Sequence, residues 1–100
     1  MNKAWKQMER NIAKKFGTER STQYVQAKGN PTSSDTMHPR LYIECKRTKR
    51  INFWSLWYGT AHKARNEKKI PLLVLKHPDL TNSLLVCRMI DIKRIAKELV

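Results

Sequence analysis

The spacing of apolar residues predicts two helices, one at the start of the chain and one near its middle. Over residues 2–16, apolar side chains recur every three or four positions and give the segment one apolar face. Gly17 follows directly and is suited to end a helix. From residue 53 a second stretch repeats this spacing. Asn52 precedes this helix as its predicted N-cap, and the helix is predicted to end in the charged residues 65–69.

Strand patterns occupy much of the remaining chain. Residues 41–47 alternate between apolar and polar positions and form the clearest strand. The run after residue 70, PLLVLK, is continuously apolar, as expected of a strand buried on both faces. A closing helix is predicted over residues 91–100. Turn signals separate the shorter predicted strands, which cover residues 22–26, 33–37 and 84–90.

This order of elements predicts an α/β fold. A strand–helix–strand crossover near the centre implies a mixed sheet with helices packed on it. The sequence has no internal repeat, no low-complexity tract and no linker long enough to divide it, so we predict a single domain over residues 1–100. A chain of 100 residues permits only a small core, and a homodimer that enlarges this core is expected.

The balance of charge points to a polyanionic partner. Lys and Arg number 21 against eight Asp and Glu, which gives a net charge of +13. So much like charge repels itself, and nucleic acid explains it better than a membrane surface does.

Neither a membrane nor a secreted location is expected from the sequence. No apolar run approaches the ~18 residues that span a bilayer, and the first ten residues contain no secretory apolar region. Cys45 and Cys87 have no metal-ligand spacing and no disulfide-rich context. We therefore expect a cytoplasmic protein with reduced cysteines and no membrane partner.

Two of the scarce carboxylates, Asp35 and Glu44, lie just before and within the strand at residues 41–47. Glu44 and Lys46 lie two positions apart and share its polar face. A turn at residues 38–40 folds the preceding segment back alongside, which can bring Asp35 close to Glu44. Two carboxylates bind Mg²⁺ or Mn²⁺ through hard oxygen atoms, and the backbone carbonyl of Cys45 offers a further ligand. Lys46 can orient an attacking water or stabilise developing negative charge.

The tripeptide Glu-x-Lys alone is a weak signal in a chain so rich in lysine. A second copy, Glu67-Lys68-Lys69, stands at the end of the predicted central helix without an upstream acidic partner, and we interpret it as solvated charge. The alternative interpretation of Glu44 and Lys46 is a cross-strand salt bridge on an exposed sheet face.

Taken together, Asp35 and Glu44-Cys45-Lys46, followed by a helix and an apolar strand, resemble the PD-(D/E)xK nuclease family. The small Holliday-junction-resolvase-like and phage-type members are the most similar. The form D-x-x-H-P-x-L-x-x-E-x-K runs from Asp35 to Lys46, and the wider pattern covers about residues 5–76. Two positions depart from the family: Ser34 stands where Pro is usual, and the Gln often found on the following helix has no counterpart.

The resemblance implies a restriction-endonuclease-like core of α-β-β-β-α-β order, followed by a C-terminal strand and helix. It implies metal on Asp35 and Glu44, with Lys46 as the catalytic lysine. It also gives Glu9 a role, because many resolvase-like members carry an acid on the N-terminal helix that completes the metal site. Without the resemblance, Glu9 is an ordinary helix acid able to pair with nearby lysines.

Basic residues near the candidate site are predicted to hold the phosphates that flank the cleaved one. These predicted DNA-binding residues are Arg20, Lys28, Arg40, Arg47, Lys49 and Arg50. The charges at residues 63–69 are interpreted as a solvated helix face. Trp54 and Trp57 are interpreted as packing in the core or in a dimer rather than stacking on bases.

Three functions fit the sequence. The first is a Mg²⁺- or Mn²⁺-dependent endonuclease that cleaves DNA, in particular branched or otherwise non-B DNA. The second is a non-catalytic basic nucleic-acid-binding module on the same fold, because fold alone does not establish activity. The third is a basic assembly protein whose Trp-containing helix contacts a partner.

Overall fold

A computed structural model describes residues 3–22 and 32–100 of the chain. Within these ranges the architecture is α/β, with three α-helices and one three-stranded sheet. The helices are α1 (Ala4–Lys15), α2 (Phe53–Asn66) and α3 (Ile92–Ala96), and the strands are β1 (Leu41–Arg47), β2 (Ile70–Lys76) and β3 (Leu84–Val86). None of the helices in the described ranges has the length and apolar character needed to cross a bilayer.

The sheet is mixed, in the order β1-β2-β3. β1 and β2 are parallel, with Leu41 opposite Ile70, whereas β3 pairs with β2 in the antiparallel direction. A parallel pair needs a crossover connection, and α2 supplies it. The N-cap of α2 is the predicted one, since the Asn52 side chain accepts a hydrogen bond from the Ser55 amide at 3.3 Å. The predicted mixed sheet with packed helices is confirmed.

Helices cover both faces of the sheet. On one face, apolar side chains of β1 and β2 pack with those of α1 and α3 to form the main core. This core contains Ile12, Phe16, Leu41, Ile43, Cys45, Ile70, Leu72, Val74 and Ile95. On the other face, Tyr42 and Leu73 are fully buried beneath α2. The strand alternation predicted for residues 41–47 therefore holds at its apolar positions.

A buried histidine fixes the turn that leads into β1. Nδ1 of His38 accepts two backbone hydrogen bonds at 3.0 Å each, from the amides of Arg40 and Leu41. Its Nε2 lies 3.3 Å from Oε1 of Glu98. Burial lowers the pKa of His38, partly offset by the negative charge of Glu98. The neutral ring with its proton on Nε2 satisfies all three contacts.

Several predicted elements are shorter than expected. Residues 33–37 do not form a ladder strand but contain a single bridge, between Thr36 and Arg20. The strand predicted over residues 84–90 ends at Val86, because the chain turns into a 3₁₀ helix at Met89–Asp91. The closing helix predicted over residues 91–100 spans only Ile92–Ala96. For the strand predicted at residues 22–26, positions 23–26 lie outside the described residues.

The two tryptophans of α2 differ in their burial. Trp54 is 66% exposed and does not pack in the core, so packing in a dimer stays a prediction for it, whereas Trp57 is half-buried. The residues of α2 that reach full burial are Thr60 and Ala64, which are small enough to let the helix backbone approach the sheet closely.

The first prediction concerns the core beneath α1. Leu72→Ala should lower the free energy of unfolding by about 2–5 kcal/mol, because Leu72 is fully buried and its removal leaves a cavity. Chemical denaturation monitored by circular dichroism measures this change. Leu80→Ala is the matched control, since Leu80 is 61% exposed and should change stability by less than about 0.5 kcal/mol. Equal losses in the two variants would contradict the assigned core.

Candidate active site

The candidate site is built on the outer edge of β1, the edge that does not face β2. The Asp35 amide donates to the Ile43 carbonyl at 2.8 Å. The Ser34 hydroxyl donates to the same carbonyl at 3.0 Å and accepts from the Ile43 amide at 2.9 Å. Oδ2 of Asp35 then accepts from the Cys45 amide at 2.7 Å. These four bonds hold the Asp35 carboxylate against the strand that carries Glu44 and Lys46.

A second segment supports Asp35 from its other side. The Ser21 amide donates to the Asp35 carbonyl, and the Met37 amide donates to the Glu19 carbonyl, both at 2.9 Å. This short pairing brings the Arg20 side chain to Glu9 of α1, where Nε lies 2.6 Å from Oε1. Glu9 of α1, Arg20 and Asp35 thus form a row of charged groups between α1 and β1.

All four residues predicted to be catalytic border one cleft of about 340 Å³. They are Glu9, Asp35, Glu44 and Lys46, and their cleft neighbours are Trp5, Met8, Cys45 and Arg47. The turn at residues 38–40 does fold Asp35 back alongside β1, as the sequence indicated. The catalytic roles of these residues remain predictions.

Burial and mutual repulsion make the carboxylates of this cleft hard to ionise. Burial and the charge of Asp35 raise the pKa of Glu44 to about 7, against the opposing effect of Lys46 and Lys63. Burial also raises the pKa of Asp35, although the hydrogen bond from the Cys45 amide favours its charged form. A site with several carboxyl groups of raised pKa attracts cations and protons alike.

Glu9 is less available than the resemblance implies. Its side chain is buried, with the residue only 7% exposed, and its carboxylate is hydrogen-bonded by Arg20. Burial and the nearby charge of Asp35 raise the pKa of Glu9, against the opposing effect of Arg20. Glu9 therefore borders the candidate site as the partner of Arg20 in a salt bridge.

The backbone carbonyl of Cys45 faces the same edge as Asp35. Alternate residues of a strand direct their amide and carbonyl groups to the same side. Ile43 and Cys45 both direct their amides to the segment at Ser34 and Asp35, away from β2. The Cys45 carbonyl consequently lies on the outer edge beside the carboxylate of Asp35, as the predicted ligand set requires. Its thiol is buried in the core, and burial raises its pKa.

In the described parts of the chain, no group of three or more His, Cys, Asp and Glu side chains stands ready to hold a metal ion. The set predicted from Glu9, Asp35 and Glu44 is thus not a preformed three-ligand cage. What the cleft does offer is two carboxylates and a backbone carbonyl, all hard oxygen donors. This set suits Mg²⁺, which is commonly bound through one or two carboxylates plus waters and substrate phosphates.

The predicted DNA-binding residues fall into two groups. Arg47 borders the cleft and Arg50 is exposed beside it in sequence, while Lys49 is exposed and only 3.6 Å from Asp79. Arg20 is largely buried and pairs through its Nε with Glu9, and its contact with DNA stays a prediction. Arg40 is exposed but forms two hydrogen bonds to Glu98. Lys28 lies outside the described residues.

Glu67 is not the solvated charge that the sequence suggested. It accepts hydrogen bonds from the Ser33 amide at 2.9 Å and from the Thr32 hydroxyl, and it lies 3.2 Å from Nζ of Lys69. These hydrogen bonds lower its pKa despite partial burial. Glu67 therefore anchors the segment that leads into Ser34 and Asp35, a role that no local motif signals.

Sequence reasoning also missed two neighbours of the cleft. Trp5 lies one helical turn before Glu9, and its ring stacks near the Arg20 guanidinium, 5.2 Å from the ring centroid. Lys63 of α2 places its charge close enough to Glu44 to favour the ionised carboxylate. The four-residue spacing from Trp5 to Glu9 could have indicated the first, whereas the second depends on how α2 packs.

Comparisons of this chain with protein-family models, with curated proteins and with solved structures found no match in any of the three.

The second prediction concerns the pH dependence of stability. Because the folded state raises the pKa of Glu44 from 4.5 to about 7, this group stabilises the fold fully below pH 4.5 and loses that contribution as the pH rises through 7. Glu44→Gln should therefore be more stable than the wild type at pH 8. Its advantage should disappear by about pH 4.5. Melting temperatures in metal-free buffer measure the difference.

Glu19→Gln is the control for this comparison, since Glu19 is exposed and contributes only its backbone to the pairing at Met37. It should follow the wild type at every pH. A Glu44→Gln variant less stable than the wild type at pH 8 would contradict the assigned environment of Glu44.

Proposed function

We propose that this chain is a divalent-metal-dependent endonuclease that hydrolyses DNA phosphodiester bonds, with a site similar to that of the PD-(D/E)xK nucleases. The observation that carries the proposal is the meeting of Asp35, Glu44 and Lys46 in one cleft of a protein with a net charge of +13. Placing carboxylates together at the centre of a basic protein opposes polyanion binding unless a cation accompanies them.

Each residue of the cleft has a distinct role in this proposal. When bound, Mg²⁺ or Mn²⁺ would be held by Asp35, Glu44 and the Cys45 carbonyl, and would supply a water of lowered pKa and neutralise a phosphodiester oxygen. The exposed ammonium group of Lys46, two positions from Glu44 on the same strand, orients the attacking water or the phosphate. Its positive charge already favours the ionised forms of Asp35 and Glu44.

The fold supports the same proposal. A parallel β1–α2–β2 unit preceded by a helix that contributes an acid fits the core expected for a restriction-endonuclease-like protein. The segment at Ser34 and Asp35 runs along the outer edge of β1, where such a core would have a further strand.

A homodimer and a cytoplasmic location belong to the proposal as well. β3 is an edge strand, and exposed apolar side chains on it and in the turn after it suit contact with a second copy, namely Leu84, Leu85, Met89 and Ile90. Two active sites related by two-fold symmetry would suit the cleavage of branched DNA. Both cysteines are free, in keeping with a reducing compartment.

The second candidate function is a basic nucleic-acid-binding module that does not cleave. Its specific support is the lack of a preformed three-ligand group among the described residues, together with the engagement of Glu9 by Arg20. It predicts salt-sensitive DNA binding without cleavage, and a melting temperature of the protein that divalent cations leave unchanged.

The third prediction is cleavage itself. The purified protein should cut supercoiled plasmid and four-way-junction DNA with Mg²⁺ or Mn²⁺, and EDTA should abolish the reaction. Glu44→Gln and Asp35→Asn should each lower the cleavage rate by about 100-fold or more, since each removes a charge at the reacting centre. Gel analysis of the cleaved products gives the rates.

Glu19→Gln serves again as the matched control and should cleave as the wild type does. Anisotropy measurements of DNA binding in EDTA show whether the slow variants still bind. Binding without cleavage by the wild type would favour the non-catalytic module, and full activity of Glu44→Gln would eliminate the proposed site.

The fourth prediction is a metal-dependent thermal shift. Millimolar Mn²⁺ should raise the melting temperature of the wild type, because a ligand that binds only the folded state stabilises it. The shift should be larger at pH 8 than at pH 5.5, since the carboxylates must lose their protons to bind the cation. Asp35→Asn should lose the shift and Glu19→Gln should keep it. An equal shift in both variants would place the cation elsewhere.

A further inference from the structure

The flank of α2 that turns away from the candidate active site carries two exposed aromatic rings. Trp54 is 66% exposed and Tyr58 is 71% exposed, and their four-residue spacing places them on the same side of the helix. The Trp54 ring is held by an edge contact with Phe53, with centroids 4.9 Å apart. Aromatic rings this exposed and this close together mark an interaction surface.

The same flank opens into a groove of about 640 Å³ with basic walls. On the α2 side the groove is lined by Tyr58, His62 and Arg65 at helical spacing. Lys68, Lys69 and Arg88 line it as well. We call this surface, together with Trp54, the α2 groove.

Two cations of the α2 groove have no acidic partner among the described residues. α2 itself contains no Asp or Glu. Lys69 is paired with Glu67, and Arg88 with Asp91 at 2.7 Å. By contrast, Arg65 and Lys68 have no acidic partner anywhere in residues 3–22 and 32–100, so they are available to an external anion.

Lys68 occupies the turn that ends α2. Its φ of 57° is in the left-handed region, in the position after a helix that glycine occupies at the lowest cost. The Lys68 and Lys69 amides donate to the carbonyls of Arg65 and Ala64 at 3.1 and 2.8 Å, so this conformation closes the helix end. The turn thereby fixes the backbone position of Lys68 beside the groove.

We propose that the α2 groove binds an unpaired nucleic-acid strand, with bases stacked on Trp54 and Tyr58 and phosphates contacting Arg65 and Lys68. Exposed rings interleaved with cations are the means by which proteins bind single strands without reading their sequence. A duplex is a poor fit, because the faces of its bases are stacked and cannot reach the rings. An apolar protein partner would leave the groove cations unmatched.

The α2 groove also defines a class of substrate for the proposed nuclease. Lys63 lies on the opposite flank of α2, where its charge acts on Glu44. A helix with its side chains is about 10–12 Å across, so a strand that crosses α2 passes from the groove to the flank that carries Lys63. Resting on the proposed function, this arrangement selects duplex DNA adjoining an unpaired strand, such as a flap or a junction with open bases.

The fifth prediction tests the groove without any need for cleavage. In EDTA, fluorescence anisotropy should show tighter binding of labelled dT₂₀ than of a 20-base-pair duplex. Tyr58→Ser should weaken dT₂₀ binding by about five-fold or more, since base stacking on one ring has roughly that effect. Tyr58→Phe keeps the ring and should bind as the wild type does. A parallel titration with rU₂₀ distinguishes RNA from DNA as the source of the strand.

The charge contribution is tested in the same assay. Arg65→Ala should reduce the dependence of log Kd on log salt by about 0.7, as expected for one lost phosphate contact to a single strand. Lys93→Ala is the matched control, because Lys93 is exposed on α3 outside the groove and should leave the slope unchanged. Trp54→Ser provides a second ring variant in case Tyr58→Ser does not fold.

Three outcomes would overturn the proposal. If Tyr58→Ser and Trp54→Ser both bind dT₂₀ as tightly as the wild type does, base stacking on these rings is excluded. If the ring variants weaken the binding of dT₂₀ and of the duplex equally, the rings have only a structural role. A change of oligomeric state in Tyr58→Ser, seen by sedimentation with dT₂₀ affinity intact, would instead assign this face to a second copy of the chain. Failure of the nuclease proposal is distinguishable from these outcomes, because the wild type would then bind dT₂₀ but would not cleave DNA with Mg²⁺.

Discussion

The free outer edge of β1 is the constraint on which the candidate site depends. A sheet edge presents unpaired amides and carbonyls that must find partners. Here the partners are the Ser34 hydroxyl and the backbone and carboxylate of Asp35, which bind Ile43 and Cys45 in turn. The Asp35 carboxylate accepts the hydrogen bond of an edge amide that would otherwise be unpaired. The same contact therefore satisfies the sheet edge and positions a potential metal ligand.

The electrostatics of the cleft follow from that arrangement. Asp35 is fixed by its bond to the Cys45 amide, so it cannot move away from Glu44 to relieve repulsion. The protein offsets the repulsion with cations from three elements: Arg20 beside Glu9, Lys46 on β1 and Lys63 on α2. Burial nevertheless dominates and keeps the carboxyl pKa values raised. Carboxyl groups whose environments shift their pKa values in this way are typical of sites that handle protons or cations.

The sequence predicted helices and strands well where the spacing of apolar residues directly reflects which side chains are buried. The β1–α2–β2 unit follows from the alternation at residues 41–47, the N-cap at Asn52 and the apolar run after residue 70. The encounter of Asp35 with Glu44 and Lys46 also followed from strand alternation and one turn. Prediction was weakest at Glu67, Arg20 and Trp54. Their surroundings are set by residues distant in the chain, and neither charge nor aromatic character reveals whether a side chain is paired, buried or exposed.

The turn at His38 has a consequence for the proton balance of folding. Its Nδ1 can accept the amides of Arg40 and Leu41 only while it carries no proton, so acid opposes this turn. As the pH falls below the ordinary pKa of histidine, the turn loses stability just as the carboxyl groups around Glu44 gain it. His38 lies just before β1, and Glu44 lies at the middle of the strand. Acid therefore weakens the approach to β1 while base weakens its centre, and each effect offsets part of the other.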